Sequence, residues 1–360
     1  MNIKKIHELK NFLVNSNLLI DKAIDKLNNQ QANCLIVTKK GKLKGTLTDS
    51  DLRRKGFFKE KKDTITSVYN PKPKYVFLNS SKNFNCQKIF DAFSFIDVIP
   101  IVSKKMIIKE VAFRRSLEND AKKTKNNNKV DVLILAGGLG SRLKEITNKI
   151  PKPLIPFKKE PYLVKLINKI EKYNFNKIYI SLFYMKEYFQ NILKKNLSNK
   201  ILKNEIQYVL ENKPLGTAGS IKKIKNNNQN ILILNSDVIF NLNLQLLIDD
   251  HIYNKSFITI AIKPYIVKIP FGVINIDKKS IKNFEEKPNK TYFISVGIYM
   301  VNEKIKKLIK KNETIDMPQL IMRAKKKGFK VNYFLMNEDA LDFGTYENLD
   351  IAKEKFEDFF

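Results

Sequence analysis

The stretch V-D-V-L-I-L-A-G-G-L-G-S-R-L-K-E-I-T-N-K-I-P-K-P-L, residues 130–154, decides how this chain is read. A buried apolar run ends in a glycine-rich turn. There Gly137, Gly138 and Gly140 let backbone amides come close to an anion, and a helix N-terminus is expected to follow. Two phosphate loops are excluded by spacing. A dinucleotide fingerprint needs glycine where Leu143 stands, and a Walker loop needs lysine directly after Gly140, where Ser141 stands. What remains is a glycine turn followed by Arg142, with Lys152 between two prolines ten residues later. Two cations so placed suit a triphosphate held at two points.

Outward from this stretch, strand-like apolar runs at 178–183, 206–210, 231–234, 257–262 and 292–301 alternate with helix-like spacing at 162–173, 185–193 and 244–253. Alternation of this kind predicts an α/β fold, Rossmann-like, with a mixed and mostly parallel sheet covered on both faces. Residues 119–129 hold one alanine among polar and charged residues and read as a linker. Before the linker the organisation changes. A helix-like run at 20–27, strands at 33–38 and 43–47, and a segment at 49–56 have a fainter second copy: a helix at 86–93 and strands at 97–102 and 106–111. The predicted domains are a pseudo-symmetric α+β domain over 1–118, the linker, and a larger domain over 130–360.

The string L-A-G-G-x-G-x-R-L with P-K-P-L downstream resembles the signature of the sugar-1-phosphate nucleotidyltransferases, and five further motifs follow in the family's order. E-N-K-P-L-G-T-A-G-S (211–220) is similar to the loop that binds base and ribose. N-S-D-V (235–238) and L-D-F-G-T-Y-E-N-L (341–349) resemble the segments carrying two metal-binding aspartates. F-E-E-K-P (284–288) and S-V-G-I-Y (295–299) resemble the segments that hold the sugar and its phosphate. The resemblance implies a GT-A-like domain that converts NTP and sugar 1-phosphate into NDP-sugar and pyrophosphate. By carry-over, Leu135, Ala136, Gly137, Gly138, Gly140, Glu211, Gly216 and Thr217 bind nucleotide. Gly272, Glu286, Lys287, Ser295 and Gly297 bind sugar phosphate, Asp237 and Asp342 hold Mg2+, and Arg142, Lys152, Asp237 and Lys287 are catalytic. Glu145, Ser236, Ser295-Val296 and Ala340 stand where the family commonly has Pro, Gly, Asn-Ala and an aromatic residue. These departures remove no phosphate or metal ligand; they alter the sugar pocket.

Elementary chemistry agrees with these roles. In-line displacement at an α-phosphorus asks mainly for positioning and charge neutralisation. Asp237, ending an Ile-Leu-Ile-Leu strand, and Asp342 are hard oxygen donors of the kind Mg2+ takes. Arg142 would grip the departing pyrophosphate, Lys152 the α-phosphate region and Lys287 the incoming phosphate.

G-T-L-T-D-S-D-L-R-R, residues 45–54, resembles the ribose-binding end of a CBS motif, a unit that usually occurs in pairs, with Thr48 and Asp51 on its Thr-x-x-Asp. The resemblance implies an adenine nucleotide held through ribose hydroxyls. The second copy keeps I-P-I-V at 99–102, but residues 109–112 lack both the glycine and the Thr-x-x-Asp. Two readings of the pair stand: nucleotide sensing and dimerisation within a homo-oligomer. The combination of CBS pair and transferase is similar to mannose-1-phosphate guanylyltransferase-like enzymes of surface-glycan synthesis. That resemblance implies GTP as donor and mannose 1-phosphate or glucosamine 1-phosphate as acceptor, with uridylyl, thymidylyl or cytidylyl transfer as alternatives.

Composition narrows the remaining classes. The chain has 360 residues, 43% hydrophobic and 29% charged, enough for two domains with real cores. No apolar run approaches a membrane span and the N-terminus has no secretory pattern, so a cytoplasmic location is expected. Cys34 and Cys86 make no disulfide framework, and His7 and His251 lie in no motif. The net charge of +31 points to nucleic acid, yet only six of the 67 basic residues are arginine, the residue that reads phosphate and guanine bidentately. No specific nucleic acid is expected. A non-catalytic regulatory relative of the family is the further alternative; loss of Arg142, Lys152, Asp237, Lys287 or Asp342 would favour it, and all five are present.

Overall fold

The computed structural model describes residues 2–9, 11–28, 34–53, 63–92, 96–114, 130–173, 175–197, 206–225, 229–336 and 338–359. They fall into two compact units, Met1–Lys125 and Asn126–Phe360. The expected linker at 119–129 lies outside the described residues, as do Arg54 and the end of the 49–56 segment.

The first unit is built from two copies of one βαββ arrangement. In the first, β2 (Leu13–Asn15) runs parallel to β3 (Cys34–Lys39), which pairs antiparallel with β4 (Lys42–Thr48), and helix Ile20–Asn28 joins the parallel strands. In the second, β5 (Val76–Phe77), helix Lys82–Ala92, β6 (Val98–Val102) and β7 (Ile108–Phe113) repeat the pattern, and β1 (Asn2–Lys5) adds to β7. Even the irregularity recurs: the hairpin register shifts between Val37 and Thr38 in one copy and between Ile101 and Val102 in the other. Aligned on that shift, Gly45 corresponds to Glu110 and Thr48 to Phe113. A Cβ on Gly45 would lie 2.3 Å from the Asn70 carbonyl oxygen, so that position tolerates only glycine. Glu110 instead takes an ion pair from Lys82 at 2.6 Å, and Phe113 is buried against the ring of Phe12.

In the second unit β8 (Val130–Leu135) is followed by two short strands, β9 (Pro156–Phe157) and β10 (Glu160–Pro161), that pair with each other. Then come β11 (Ile178–Leu182), β12 (Ile206–Leu210), β13 (Asn230–Asn235) and β14 (Val238–Phe240). The last six are β15 (Ile258–Lys268), β16 (Val273–Asp277), β17 (Ser280–Glu285), β18 (Asn289–Asn302), β19 (Val331–Leu335) and β20 (Ala340–Asp342). Among the described residues a seven-stranded sheet forms in the order β12-β11-β8-β13-β18-β15-β19, with β18 running against the other six. The sheet is mixed and mostly parallel, as the alternation of strand and helix spacing predicts.

Alternating side chains of the central strands enter two cores. Val132, Ile134, Leu232 and Leu234 pack with helix Tyr162–Glu171 on one face. Leu133, Ile231, Ile233 and Val301 pack with helix Met317–Lys326 on the other. The parallel strands end together at Leu135, Leu182, Leu210 and Asn235, which places the loops that follow them along one edge. Beyond that edge β15 and β18 continue as a two-stranded ribbon, paired from Ile262–Ser295 out to Lys268–Asn289, while β16 and β17 form a hairpin between them.

Sequence spacing fell short here. It placed these strands at 257–262 and 292–301, and β16, β17, β19, β20 and helix Met317–Lys326 had no counterpart in it. The glycine turn leads through a short 3-10 turn, Ser141–Leu143, into the four-residue helix Lys144–Thr147. Both cysteines and His251 are buried. Among the described residues no helix is long and apolar enough to cross a membrane.

Candidate active site

A cleft of about 390 Å³ opens at the carboxyl edge of the sheet. Its floor is the end of β8 and the turn Gly137–Gly140, with Arg142 beyond. One wall is the loop from Glu211 to Thr217, the other Asn235 to Asp237 together with Lys152 and Gly344.

Lys152 is the hub. It is buried at the start of the 3-10 turn Lys152–Leu154, its ammonium nitrogen 2.6 Å from Asp237 Oδ2 and 3.6 Å from Asp342 Oδ1, over the ring of Phe343. The two aspartates, distant in sequence, meet because β14 and β20 pair, with Val238 opposite Asp342 and the Phe343 N–H donating to the Asp237 carbonyl at 3.1 Å. Buried Tyr162 donates its hydroxyl to the Val238 carbonyl; burial, with Asp237 nearby, pushes its pKa well above the tyrosine range and keeps that donor protonated. Among the described residues no three His, Cys, Asp or Glu side chains gather as a closed metal site. Two carboxylates converging on one cation fit Mg2+, which commonly takes one or two protein carboxylates and completes its shell with water and substrate phosphate.

The loop wall is braced by its own polar groups. Glu211 accepts from the Ser181 hydroxyl through Oε1 and from the Leu215 N–H, at 2.9 Å, through Oε2. Gly216 has φ of +74°, and a Cβ there would lie 2.6 Å from the Ile315 carbonyl oxygen. Thr217 donates its N–H to Asp316 Oδ1 at 3.0 Å and accepts the Met317 N–H at 2.8 Å. Gly140, with φ of +64°, packs against Thr147. Ala136 is buried behind the turn.

The cleft therefore brings together Leu135, Gly137, Gly138, Gly140, Arg142, Lys152, Glu211, Gly216, Thr217 and Asp237, with Asp342 against Lys152. Gly272, Glu286, Lys287, Ser295 and Gly297 do not line it. Gly272, Glu286 and Lys287 are exposed in the segments that join the ribbon to the β16–β17 hairpin, where a Cβ on Gly272 would lie 3.1 Å from Glu286 Oε2. Ser295 bonds to Tyr299 at 3.0 Å, and Gly297, with φ of +75°, lies against the side chain of Asn235. Among the lining residues not singled out from sequence are Ser181, Asn235 and Gly344. Asn235 and Gly344 stand inside quoted motifs; Ser181 carries no local signal. In the first unit Thr48 and Asp51 bond to each other as a capping box, Asp51 Oδ2 accepting from the Thr48 N–H at 3.0 Å and its hydroxyl at 2.7 Å.

Residues 131–358 match the Nucleotidyl transferase family. A D-glycero-alpha-D-manno-heptose 1-phosphate guanylyltransferase of Aneurinibacillus thermoaerophilus is 27% identical over 231 residues, covering 63% of this chain and 99% of that protein. One from Campylobacter jejuni is 29% identical over 222 residues, covering 61% and 96%. Among solved structures, HddC from Yersinia pseudotuberculosis complexed with GMP-PN is 27% identical, with 63% of this chain and 99% of that one covered at a TM-score of 0.49.

Proposed function

We propose that this chain, which belongs to the nucleotidyl transferase family, joins a nucleoside triphosphate to a sugar 1-phosphate, giving a nucleotide sugar and pyrophosphate. The observation that carries the reading is the convergence of Asp237 and Asp342 on Lys152 beside the glycine turn. GTP is the donor we favour, because the relatives matched over nearly their whole length are named guanylyltransferases. Their manno-heptose substrate favours a manno-configured acceptor, mannose 1-phosphate included, over glucosamine 1-phosphate.

The chemistry follows from the charges. A phosphate oxygen of the sugar phosphate attacks the α-phosphorus, the bond to the β-phosphate's bridging oxygen breaks, and pyrophosphate leaves in line. The glycine turn presents backbone N–H groups to the phosphates, Arg142 holds the leaving pyrophosphate and Lys152 neutralises the α-phosphate. Asp237 and Asp342 would hold Mg2+, which neutralises phosphate oxygens when bound. Lys287 brings in the sugar phosphate from the ribbon, with Gly272, Glu286, Ser295 and Gly297 around the sugar.

We assign the first unit to a CBS pair at 1–118, set off by the linker, acting as a sensor of adenine nucleotides at Thr48 and Asp51 or as a dimerising module. The repeated βαββ arrangement and its matching register shifts support the pair. The mutual bond of Thr48 and Asp51 favours dimerisation, since a ribose would have to break it. A cytoplasmic homo-oligomer fits both.

The decisive assay is pyrophosphate release with Mg2+, crossing GTP, CTP, UTP, dTTP and ATP against a panel of sugar 1-phosphates. Turnover with GTP is expected, and Asp237→Asn should lower it about 10³-fold while the protein still melts cooperatively. Turnover with another triphosphate alone breaks the guanylyl reading; silence across the panel breaks the enzyme reading.

A further inference from the structure

Gly344 lies beneath the charged tips of the cleft. Its N–H donates to Asp342 Oδ1 at 2.6 Å. A Cβ built on it would lie 2.6 Å from that same oxygen, 2.9 Å from Lys152 Nζ and 3.2 Å from Arg142 Nη2. No other described glycine faces three ionic groups in this way.

Backbone conformation does not explain the residue. Gly140, Gly216 and Gly297 have positive φ, where an L side chain is strained; Gly344 does not. What Gly344 supplies is room. The obstructing atoms all terminate side chains, so an added methyl would be accommodated by moving those tips and not by moving the chain. Lys152 cannot yield without leaving Asp237, because its buried ammonium is held between Asp237 and Asp342 over Phe343.

We propose that Gly344 is a positioning residue whose missing side chain sets the spacing of Arg142, Lys152 and Asp342, and so sets the affinity of the cleft for divalent cation and triphosphate. The proposal rests on the nucleotidyl-transfer reading and deepens it. Misplacement of polar groups by a fraction of an ångström to 1 Å is enough to spoil such a site.

The test is Gly344→Ala in the full chain, with three measurements. The melting temperature should stay within about 2 °C of the parent, since only side-chain ends move. The Mg2+ concentration giving half-maximal GTP binding, followed by equilibrium dialysis, should rise about tenfold or more, as for loss of roughly 1.4 kcal/mol of interaction. Lys152, shielded in the parent, should react several-fold faster with trinitrobenzenesulfonate, read on its own peptide by mass spectrometry. An unchanged Mg2+ requirement or unchanged Lys152 labelling overturns the proposal, and so does a fall in melting temperature large enough to account for the loss. Failure of the parent chain to bind GTP counts against the guanylyl reading and not against the spacer, which the Lys152 labelling still decides.

Discussion

The same two strands, β15 and β18, live in opposite environments at their two ends. At the root Ile258, Thr259 and Ala261 are wholly buried, and Val301 and Met300 beside them close the two cores. At the tip Tyr265, Ile266 and Tyr292 are each more than half exposed, as are Ile276 and Ile281 on the neighbouring hairpin. The two strands stay paired from one end to the other, with a single register shift between Ile260 and Ile262. Ladder alone therefore does not make a core; what separates root from tip is the layer of helices on either face.

The largest stability effect at the root should come from His251. Its Nδ1 lies 2.8 Å from the Thr259 hydroxyl, and burial lowers its pKa from 6.5 to about 4. The unfolded chain binds the proton first, so stability is lost as pH falls from 6.5 towards 4, by up to about 3 kcal/mol. Urea titrations across that range should show the slope, and His251→Gln should flatten it. At the junction, Gly297→Ala combines a strained left-handed φ with collision against Asn235 and should cost about 2 kcal/mol by the same titration. At the tip the sign of the test changes from stability to function. Lys287→Ala should raise the KM for sugar 1-phosphate about tenfold, roughly 1.4 kcal/mol, and leave the KM for GTP alone. Smallest of all, Ile276→Ser should move stability by no more than about 0.5 kcal/mol, because its side chain is already in water. A large loss from Ile276→Ser would dissolve the contrast.

The root was legible in the sequence, and of the tip only the part of β18 inside the run 292–301 was. Runs such as Ile231–Leu234 are apolar on both faces, which announces a strand buried on both sides. Beyond Ile262 the residues Lys263, Pro264 and Lys268 interrupt the apolar pattern, so nothing in the spacing marks where pairing continues. The part of the cleft built on the glycine turn and the strand ends was legible for a related reason. Its groups follow single strands, as Gly137 follows β8 and Asp237 follows β13, and each comes with its local motif. The meeting of Asp237 with Asp342 depends on pairing between β14 and β20, two three-residue strands far apart in the chain, and no local spacing encodes it. Gly344 was hidden for the same reason: its importance lies in the neighbours that pairing delivers.

Mechanically, β18 is a lever with its fulcrum at the cleft. Gly297 falls where the ladder slips, between the pairs Ile260–Tyr299 and Ile262–Ser295, and it rests against Asn235 on the cleft wall. At about 3.3 Å per residue the strand reaches roughly 26 Å outward from Gly297 to Asn289. A tilt of about 10° at the slip would sweep the far end by roughly 5 Å while the fulcrum stays within side-chain distance of Asn235. Any such tilt would be magnified along β18 toward Lys287, which lies two residues beyond its far end.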